Sequence, residues 1–332
     1  MSVVVAAYTM ARFRDLCRLF DSVEAQTIPG SMLILVIDQS VELANASKEY
    51  FKRKSYKNFG LQVLVNEGPR GVNACRNLGI RESRTDIVGV IDDDIVLAPT
   101  WVESNLRNYK SSKSIVAITG PTLPLWEDPI SMSWFPKALY YVWGCTVWDW
   151  SRIREIRNVG GMNCSYRKEV VVKVGMYDVN LGPHGGEERI GWFSPSGEEV
   201  DLCMRIRSSD RSYRIVYDPQ VVAQHKAEAN RFNMAFVIKR SFRLGYSKHF
   251  VQLRFRAESH FMDMEEEHLK TIAAASLVEF IRGLQHPITA SKRFVSTWLG
   301  ASAAVLGYVL YSLKPYQPSA NLTGRTDVTP KT

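Results

Sequence analysis

Three consecutive aspartates, Asp92, Asp93 and Asp94, follow the apolar run "IVGVI". Adjacent carboxylates repel one another, more strongly as the dielectric falls, so the cluster needs open water or a cation. Alternate residues of a strand share a face, which predicts Asp92 and Asp94 on one side and Asp93 on the other. A D-x-D pair of this kind can offer oxygens to one hard divalent ion, Mn²⁺ or Mg²⁺, and leave positions for phosphate oxygens. The competing reading is a solvated turn running into Pro99.

Other residues gain meaning from their order. Asp38 closes "MLILVID", where its carboxylate could accept from the imide N–H of uracil, and Arg12 and Arg76 could offset pyrophosphate charge. In "SGEEVDLCMRI", Glu198 and Glu199 open a predicted helix. Acids there either complement the helix dipole or supply a general base for an acceptor hydroxyl. Asp201 and Arg205 stand one turn apart as a structural ion pair. His225, ending "YDPQVVAQH", either completes a metal site or is a satisfied polar residue. No residue suggests itself as a covalent nucleophile.

The elements that must position these groups alternate in type. Val- and Ile-rich runs ("SVVVAA", "MLILVID", "LQVLVN", "DIVGVID", "SIVAITG") are separated by helical stretches at Arg12–Ala25, Leu43–Arg53, Val72–Ser83 and Thr100–Tyr109. That pattern predicts an open α/β fold, a parallel sheet covered on both faces. Ligands of such sheets bind beyond the carboxyl ends of the strands, so Asp38 and Asp92–Asp94 should meet on one edge. Residues 126–150 are aromatic and irregular, either a substrate-facing insertion or core. The Gly-rich stretch "NLGPHGGEERIGWFSPSGEE" reads as a mobile functional loop.

The 332 residues suit a main domain of about 200 plus an appendage. Cys17, Cys75, Cys145, Cys164 and Cys203 are scattered, with no zinc spacing, and read as reduced thiols. The chain starts without a basic n-region or cleavage site, so no signal peptide is expected. Of the net charge of +8, much of the surplus lies from Lys226 to Lys314, with 13 Lys or Arg against 7 Asp or Glu. Phe242, Tyr246 and Phe250 recur at i, i+4 among Lys239, Arg240, Arg243, Lys248, Arg254 and Arg256. That is an amphipathic basic helix, lying either on a membrane or in water. Nucleic acid is not expected, because no recognition fold accompanies the helix. Phe294–Leu313 carries no charge and is long enough either to span a bilayer or to lie embedded in it, and Ala303 and Gly307 form a small-xxx-small step that leaves a homo-oligomer open. The excess of Lys and Arg before the segment puts the catalytic part on the cytoplasmic side of the cell membrane.

Taken in order, "VVVAAYTMARFRDLCRLFDSVEAQTIP", "ILVIDQS", "NEGPRGVNACRNLGI", "DIVGVIDDDIVLAPTWVE", "GGMNCSYRKEVVVKVGMYD", "GEEVDLCMRI" and "VVAQH" resemble inverting glycosyltransferase family 2, over residues 2 to 226. The resemblance implies a GT-A fold: an open, mainly parallel sheet flanked by helices in a catalytic domain over 1–228. A basic amphipathic helical region over 229–290, a transmembrane or membrane-embedded helix over 291–314 and a disordered tail over 315–332 follow. It implies that Ala7, Tyr8 and Asp38 hold the nucleoside, with Arg12 and Arg76 near the phosphates. Asp92, Asp93 and Asp94 form the D-x-D motif, Asp94 is the foremost metal ligand, and Asp92 and His225 are further ligands for Mn²⁺ or Mg²⁺. The family's base is the second acid of a Glu-Asp pair, which falls on Glu199. Because this chain has Glu-Glu, Glu198 stays a second candidate.

No Gln-x-x-Arg-Trp occurs, so the processive polymer synthases fit poorly. The chain looks most like archaeal membrane-associated transferases of dolichyl-phosphate-linked sugars, including glucuronosyltransferases. Expected partners are therefore a nucleotide-sugar donor, UDP-linked and with glucuronate as one candidate sugar, a lipid-linked acceptor and a membrane. Arg167 and Arg189 are candidates to meet a sugar carboxylate, with a structural role as the alternative for either. A nucleotidyltransferase would need a Gly-rich N-terminal loop, which "AAYTMARFRDL" lacks. The alternative is a nucleotide-sugar-binding scaffold or sensor without turnover.

Overall fold

The computed structural model describes residues 1–182, 192, 196–255 and 263–313. Arg189, most of the Gly-rich loop, Arg256 and the tail 315–332 lie outside the described residues.

The first half of the chain alternates strand and helix. It runs β1 (Ser2–Ala7), α1 (Phe13–Glu24), β2 (Ser31–Asp38), α2 (Val41–Lys54), β3 (Phe59–Asn66), α3 (Val72–Glu82), β4 (Ile87–Asp92), β5 (Ile95–Leu97), α4 (Trp101–Ser111) and β6 (Ile115–Thr119). β7 (Thr122–Trp126), α5 (Pro129–Met132), β8 (Arg154–Glu155), β9 (Asn163–Arg167), α6 (Lys168–Lys173), α7 (Glu198–Ser209), β10 (Arg214–Tyr217) and β11 (Ala223–Ala227) follow. Three helices close the chain: α8 (Met234–Arg254), α9 (Asp263–Arg282) and α10 (Pro287–Tyr311).

The main sheet has eight strands in the order β3-β2-β1-β4-β9-β6-β10-β8. β1 to β4 pair in parallel, β9 runs antiparallel to both β4 and β6, and β10 is parallel to β6. β1 pairs Ala6 with both Val36 and Asp92, which puts the carboxyl ends of β2 and β4 at one edge. Strands buried on both faces need continuous apolar runs, and Val3, Val4, Val5, Val88 and Val90 have no exposure at all.

Small residues set how closely the helices lie on the sheet. A Cβ on Gly79 of α3 would stand 2.4 Å from Val4 Cγ1, and one on Gly89 of β4 would stand 2.6 Å from the Trp101 ring. Both glycines permit contacts that any side chain would push apart. The fully buried Trp101 also donates from Nε1 to Asn163 Oδ1 at 2.7 Å, tying α4 to β9 beside the catalytic edge.

A second sheet, β5-β11-β7, stands at that edge. It begins one residue after the third aspartate and sets His225 opposite Ile95. The aromatic stretch after β7 is core: Phe135, Leu139, Val142 and Trp143 are buried together with Ala227 and Val237. All five cysteines are free thiols, four of them buried.

The closing helices depart from the sequence reading in one respect. Phe242 and Tyr246, placed there on a membrane-facing side of α8, are buried against Ala303 and Tyr311 of α10. The backbones touch: a Cβ on Gly245 would stand 1.8 Å from the Ala304 carbonyl oxygen, and one on Gly307 would stand 2.0 Å from that of Phe242. The small-residue step at Ala303 and Gly307 is thus used within the chain, against α8. Periodicity finds the apolar face of a helix but not what covers it.

Candidate active site

β4 ends at Asp92, and the chain turns through Asp93 and Asp94 before β5. The turn ends the strand alternation that predicted Asp92 beside Asp94. Asp93 and Asp94 share Arg12 instead, at 2.8 and 3.1 Å from its Nη1, while Asp92 receives Arg76 Nη2 at 2.9 Å. His225 Nε2 lies 3.2 Å from Asp94 Oδ1, held there by β11, where the Lys226 amide also donates to the Asp94 carbonyl at 3.2 Å.

Burial first and Asp94 second push the Asp93 carboxyl up to about 7, against the pull of Arg12. Burial also works against Asp94, yet His225 and then Arg12 hold its carboxyl well below the usual carboxylate range. Burial opposes charge on His225 too, but Asp94 raises the imidazole well above its ordinary value. The group is therefore acids held together by borrowed positive charge.

That group fits a divalent cation in a particular way. Asp93 Oδ2, Asp94 Oδ1 and His225 Nδ1 are buried without a hydrogen-bond partner. Two neighbouring ligands of an octahedral ion with bonds of about 2.1 Å stand about 3 Å apart, close to the 3.2 Å between Asp94 Oδ1 and His225 Nε2. Among the described residues no group of three or more His, Cys, Asp or Glu side chains converges as a metal site. Asp94 Oδ1 and His225 Nε2 are thus the two candidate donors at this edge, and Asp92 turns away to Arg76.

Arg76 joins two walls of the site. α3 starts after Gly71, whose φ of +133° favours glycine, and the Gly71 amide donates to Asp38 Oδ2 at 3.0 Å. One turn later Arg76, 3% exposed, reaches Asp92 at 2.9 Å, Glu199 Oε1 at 3.0 Å and Glu198 Oε1 at 3.8 Å, with its guanidinium over the Tyr177 ring. The sequence reading set Arg76 near phosphates; the structure places it between Asp92 and Glu199.

Glu198 and Glu199 open α7 after Gly197, whose φ is +109°. Glu198 Oε2 accepts from the Gly197 amide at 2.9 Å, a local capping contact. The Glu199 carboxylate packs against Gly161, where a Cβ would stand 2.1 Å from Oε1. Burial first and Glu198 second push Glu199 up to about 7, with Arg76 opposing. A carboxylate so poised can take a proton near neutral pH.

Ala7 is buried at the end of β1, and Tyr8, 40% exposed, follows it. Asp38 accepts from Asn66 Nδ2 at 3.1 Å as well as from Gly71. Arg167 is a correction. β9 sets it opposite Ile87, at the far end of β4 from Asp92, where it donates to the carbonyls of Tyr109, Ser112 and Ile115. Two residues that the sequence reading placed on a basic helix face turned to membrane or water, Arg240 and Arg243, lie instead on the side of α8 that packs toward α7. Their charges are felt by Glu198, and that of Arg240 also by Glu199 and Asp92. Only helix spacing could have hinted at this, since the facing residues come from a distant part of the chain.

Residues 2–132 match the family model described as Glycosyl transferase family 2. The chain is 28% identical over 322 residues to a glucosyl-dolichyl phosphate glucuronosyltransferase of Haloferax volcanii, covering 95% of this chain and 97% of that protein. It is 23% identical over 250 residues to glycosyltransferase AglE of the same organism, covering 74% of this chain and 71% of that one. Among solved structures, the mannosyltransferase PcManGT from Pyrobaculum calidifontis, in complex with GDP-Man and Mn²⁺, aligns with a TM-score of 0.58 at 16% identity, over 95% of this chain and 88% of that chain. That likeness is one of fold.

Proposed function

We propose that this chain, a glycosyltransferase of GT-A fold whose residues 2–132 match the glycosyl transferase family 2 model, transfers a sugar with inversion from a nucleotide diphosphate to a lipid-linked acceptor. The observation that carries the reading is a buried carboxylate, Glu199 pushed up to about 7, tied through Arg76 to Asp92 at the end of β4, where the Asp94–His225 pair follows. Similarity along nearly the whole chain to a glucosyl-dolichyl phosphate glucuronosyltransferase supports UDP-glucuronate as donor and a dolichyl-phosphate-linked sugar as acceptor.

In this reading Ala7, Tyr8 and Asp38 bind the nucleoside. Asp94 and His225 would hold a divalent cation, Mn²⁺ or Mg²⁺, which supplies Lewis-acid charge to the diphosphate when bound. Arg12 keeps Asp93 and Asp94 together at that position. Glu199 takes the proton of the acceptor hydroxyl as its oxygen bonds to the anomeric carbon, and the C–O bond to the diphosphate breaks with its electron pair leaving on the diphosphate. One displacement needs no covalent nucleophile. Arg76 orients Glu199 from the side of Asp92.

Membrane association is part of the proposal. Among the described residues one helix, α10, is long and apolar enough to cross a bilayer. One side of it meets the rest of the chain at intervals along its length: Arg293 donates to the Trp134 carbonyl, Gly300 lies on Leu139, and Gly307 lies on Phe242. The other side exposes Val295, Trp298, Leu306 and Val309, and Ile288 of α10 and Leu277 and Ile281 of α9 are exposed as well. A helix pressed against the body on one side and apolar on the other suits the cytoplasmic membrane interface better than a free span.

The test is turnover of UDP- and GDP-sugars by purified protein with Mn²⁺ and either dolichyl phosphate or its glucosyl derivative. Sugar in the lipid extract, lost with Glu199→Gln, is the expected result. Tight nucleotide binding with neither transfer nor donor hydrolysis would replace the reading with a sensor.

A further inference from the structure

We propose that Arg240 and Arg243 of α8 form an oxyanion subsite beside the Glu198–Glu199 end of α7, taking a phosphate or carboxylate group of a bound substrate. The inference rests on the glycosyltransferase reading only for which substrate brings that group.

The placement follows from helix spacing. Arg240, Arg243, Ser247 and Val251 recur every three or four residues and so share one face of α8. The C-terminal half of that face is fixed on the start of α7. Ser247 Oγ accepts from the Ser196 amide at 2.8 Å, and Val251 is buried with Val200 and Met204 and lies over Gly197. Continuing the face one and two turns toward the N-terminus of α8 brings first Arg243 and then Arg240 past the end of α7, where Glu198 and Glu199 stand.

Among the described residues neither arginine forms an ion pair with an acid, and Glu198 acts on both only from a distance. Arg243 is 7% exposed and its Nε is buried without a hydrogen-bond partner. Among the described residues no carboxylate lies within ion-pairing distance of either guanidinium. Burial first and Arg240 second bring Arg243 down to about 10, and burial lowers Arg240 as well. Other cations of this region are treated differently: Lys248 and Arg157 both pair with Glu265, at 2.6 and 2.7 Å.

A buried cation without an anion is strongly unfavourable, and a helix free to roll would carry it to water. α8 is not free to roll, because its opposite face is locked backbone to backbone on α10 at Gly245 and Gly307. The two charges are therefore held in place ahead of an anion, as an oxyanion receptor requires. The anion can come from either of two substrates, the phosphate of a lipid acceptor or the carboxylate of a uronic acid donor.

Calorimetric binding of farnesyl phosphate, UDP-glucuronate and UDP-glucose to the full chain, to Arg240→Gln and to Arg243→Gln separates the possibilities. A loss of at least about tenfold is expected for one anionic probe, with UDP-glucose unchanged and affinity partly restored by Arg243→Lys. Weakening of farnesyl phosphate alone assigns the lipid phosphate; weakening of UDP-glucuronate alone assigns the sugar carboxylate. Unchanged affinity for both, or no binding of either by the wild type, overturns the subsite. A fall in the unfolding temperature of Arg243→Gln with UDP-glucose binding lost as well would also overturn it, in favour of a structural role. Wild type that binds farnesyl phosphate but glycosylates no lipid removes the proposed acceptor and leaves the subsite standing.

Discussion

Two walls, the sheet edge and α8, treat charge in opposite ways. On the sheet edge cations and acids are interleaved: Arg12 with Asp93 and Asp94, His225 with Asp94, and Arg76 with Asp92 and Glu199, all within 3.2 Å. On α8, Arg240 and Arg243 are set one turn apart without an acid in contact among the described residues. Matched charges hold their own geometry, so the sheet-edge wall keeps its shape whether or not substrate is bound. Unmatched ones raise the energy of the empty protein and lower it when an anion arrives. Substitutions on the first wall should therefore damage chemistry and folding together, and those on the second should separate them.

The largest effect falls where a matched group also does chemistry. Glu199→Gln is expected to slow sugar transfer by about 10²–10⁴-fold, with donor binding intact, in single-turnover assays. Glu198→Gln should have a smaller effect, since Glu198 is engaged by its own helix cap. A base must be deprotonated to act, so the wild-type rate should rise with pH through about 7. A flat profile between pH 6 and 8 would remove Glu199 from that role.

Arg76→Ala breaks the link between Asp92 of β4 and Glu199 of α7. It leaves Asp92 and Glu199 without their shared cation, and losing one partner of a buried pair typically costs about 3–5 kcal/mol. Urea unfolding measures this. The remaining activity should need a higher pH, because Arg76 lowers the Glu199 value. Next, His225→Asn should raise the Mn²⁺ concentration needed for half-maximal activity by about tenfold or more, judged from the losses seen when metal-site partners are removed. An unaltered requirement would separate His225 from the metal.

How much of this was legible in the sequence follows the same division. β1 to β4, β6 and the intervening helices could be read because each is a local pattern of Val- and Ile-rich runs and amphipathic spacing, whereas the three-residue β5 was not read. The meeting of Asp38 and Asp92 at one edge follows from parallel pairing alone. The partnership of Asp93 with Asp94 was not legible, since it depends on the strand ending at Asp92. Arg167 misled for a related reason: a residue on an antiparallel strand is carried to the far end of the sheet, and nothing local announces that β9 runs backwards. The orientation of α8 depends on contacts with residues about 60 positions away, such as His249 Nδ1 with the Tyr308 carbonyl at 2.7 Å.

That distant lock can be tested on its own. Gly307→Leu forces a side chain into the Phe242 carbonyl and is expected to destabilise the protein by about 1–3 kcal/mol, the usual range for overpacking. Thermal unfolding would register it. If α10 sits in the membrane interface, sedimentation with anionic vesicles should weaken too; full retention with unchanged stability would mean that α8 and α10 are not held at this point.

The smallest change in stability should come from Arg243→Met, although this residue is nearly as buried as Arg76. Replacing Arg76 strands two acids, whereas replacing Arg243 strands none, because among the described residues no acid forms an ion pair with it. The guanidinium already carries the desolvation of a buried charge without a compensating anion, so an apolar side chain of similar length should be neutral or stabilising by about 1 kcal/mol. Burial alone would predict the reverse, a loss comparable to that of Arg76→Ala. Parallel urea unfolding of the two variants measures the difference directly. Similar losses would mean that Arg243 is matched after all and that the contrast between the walls is not one of charge.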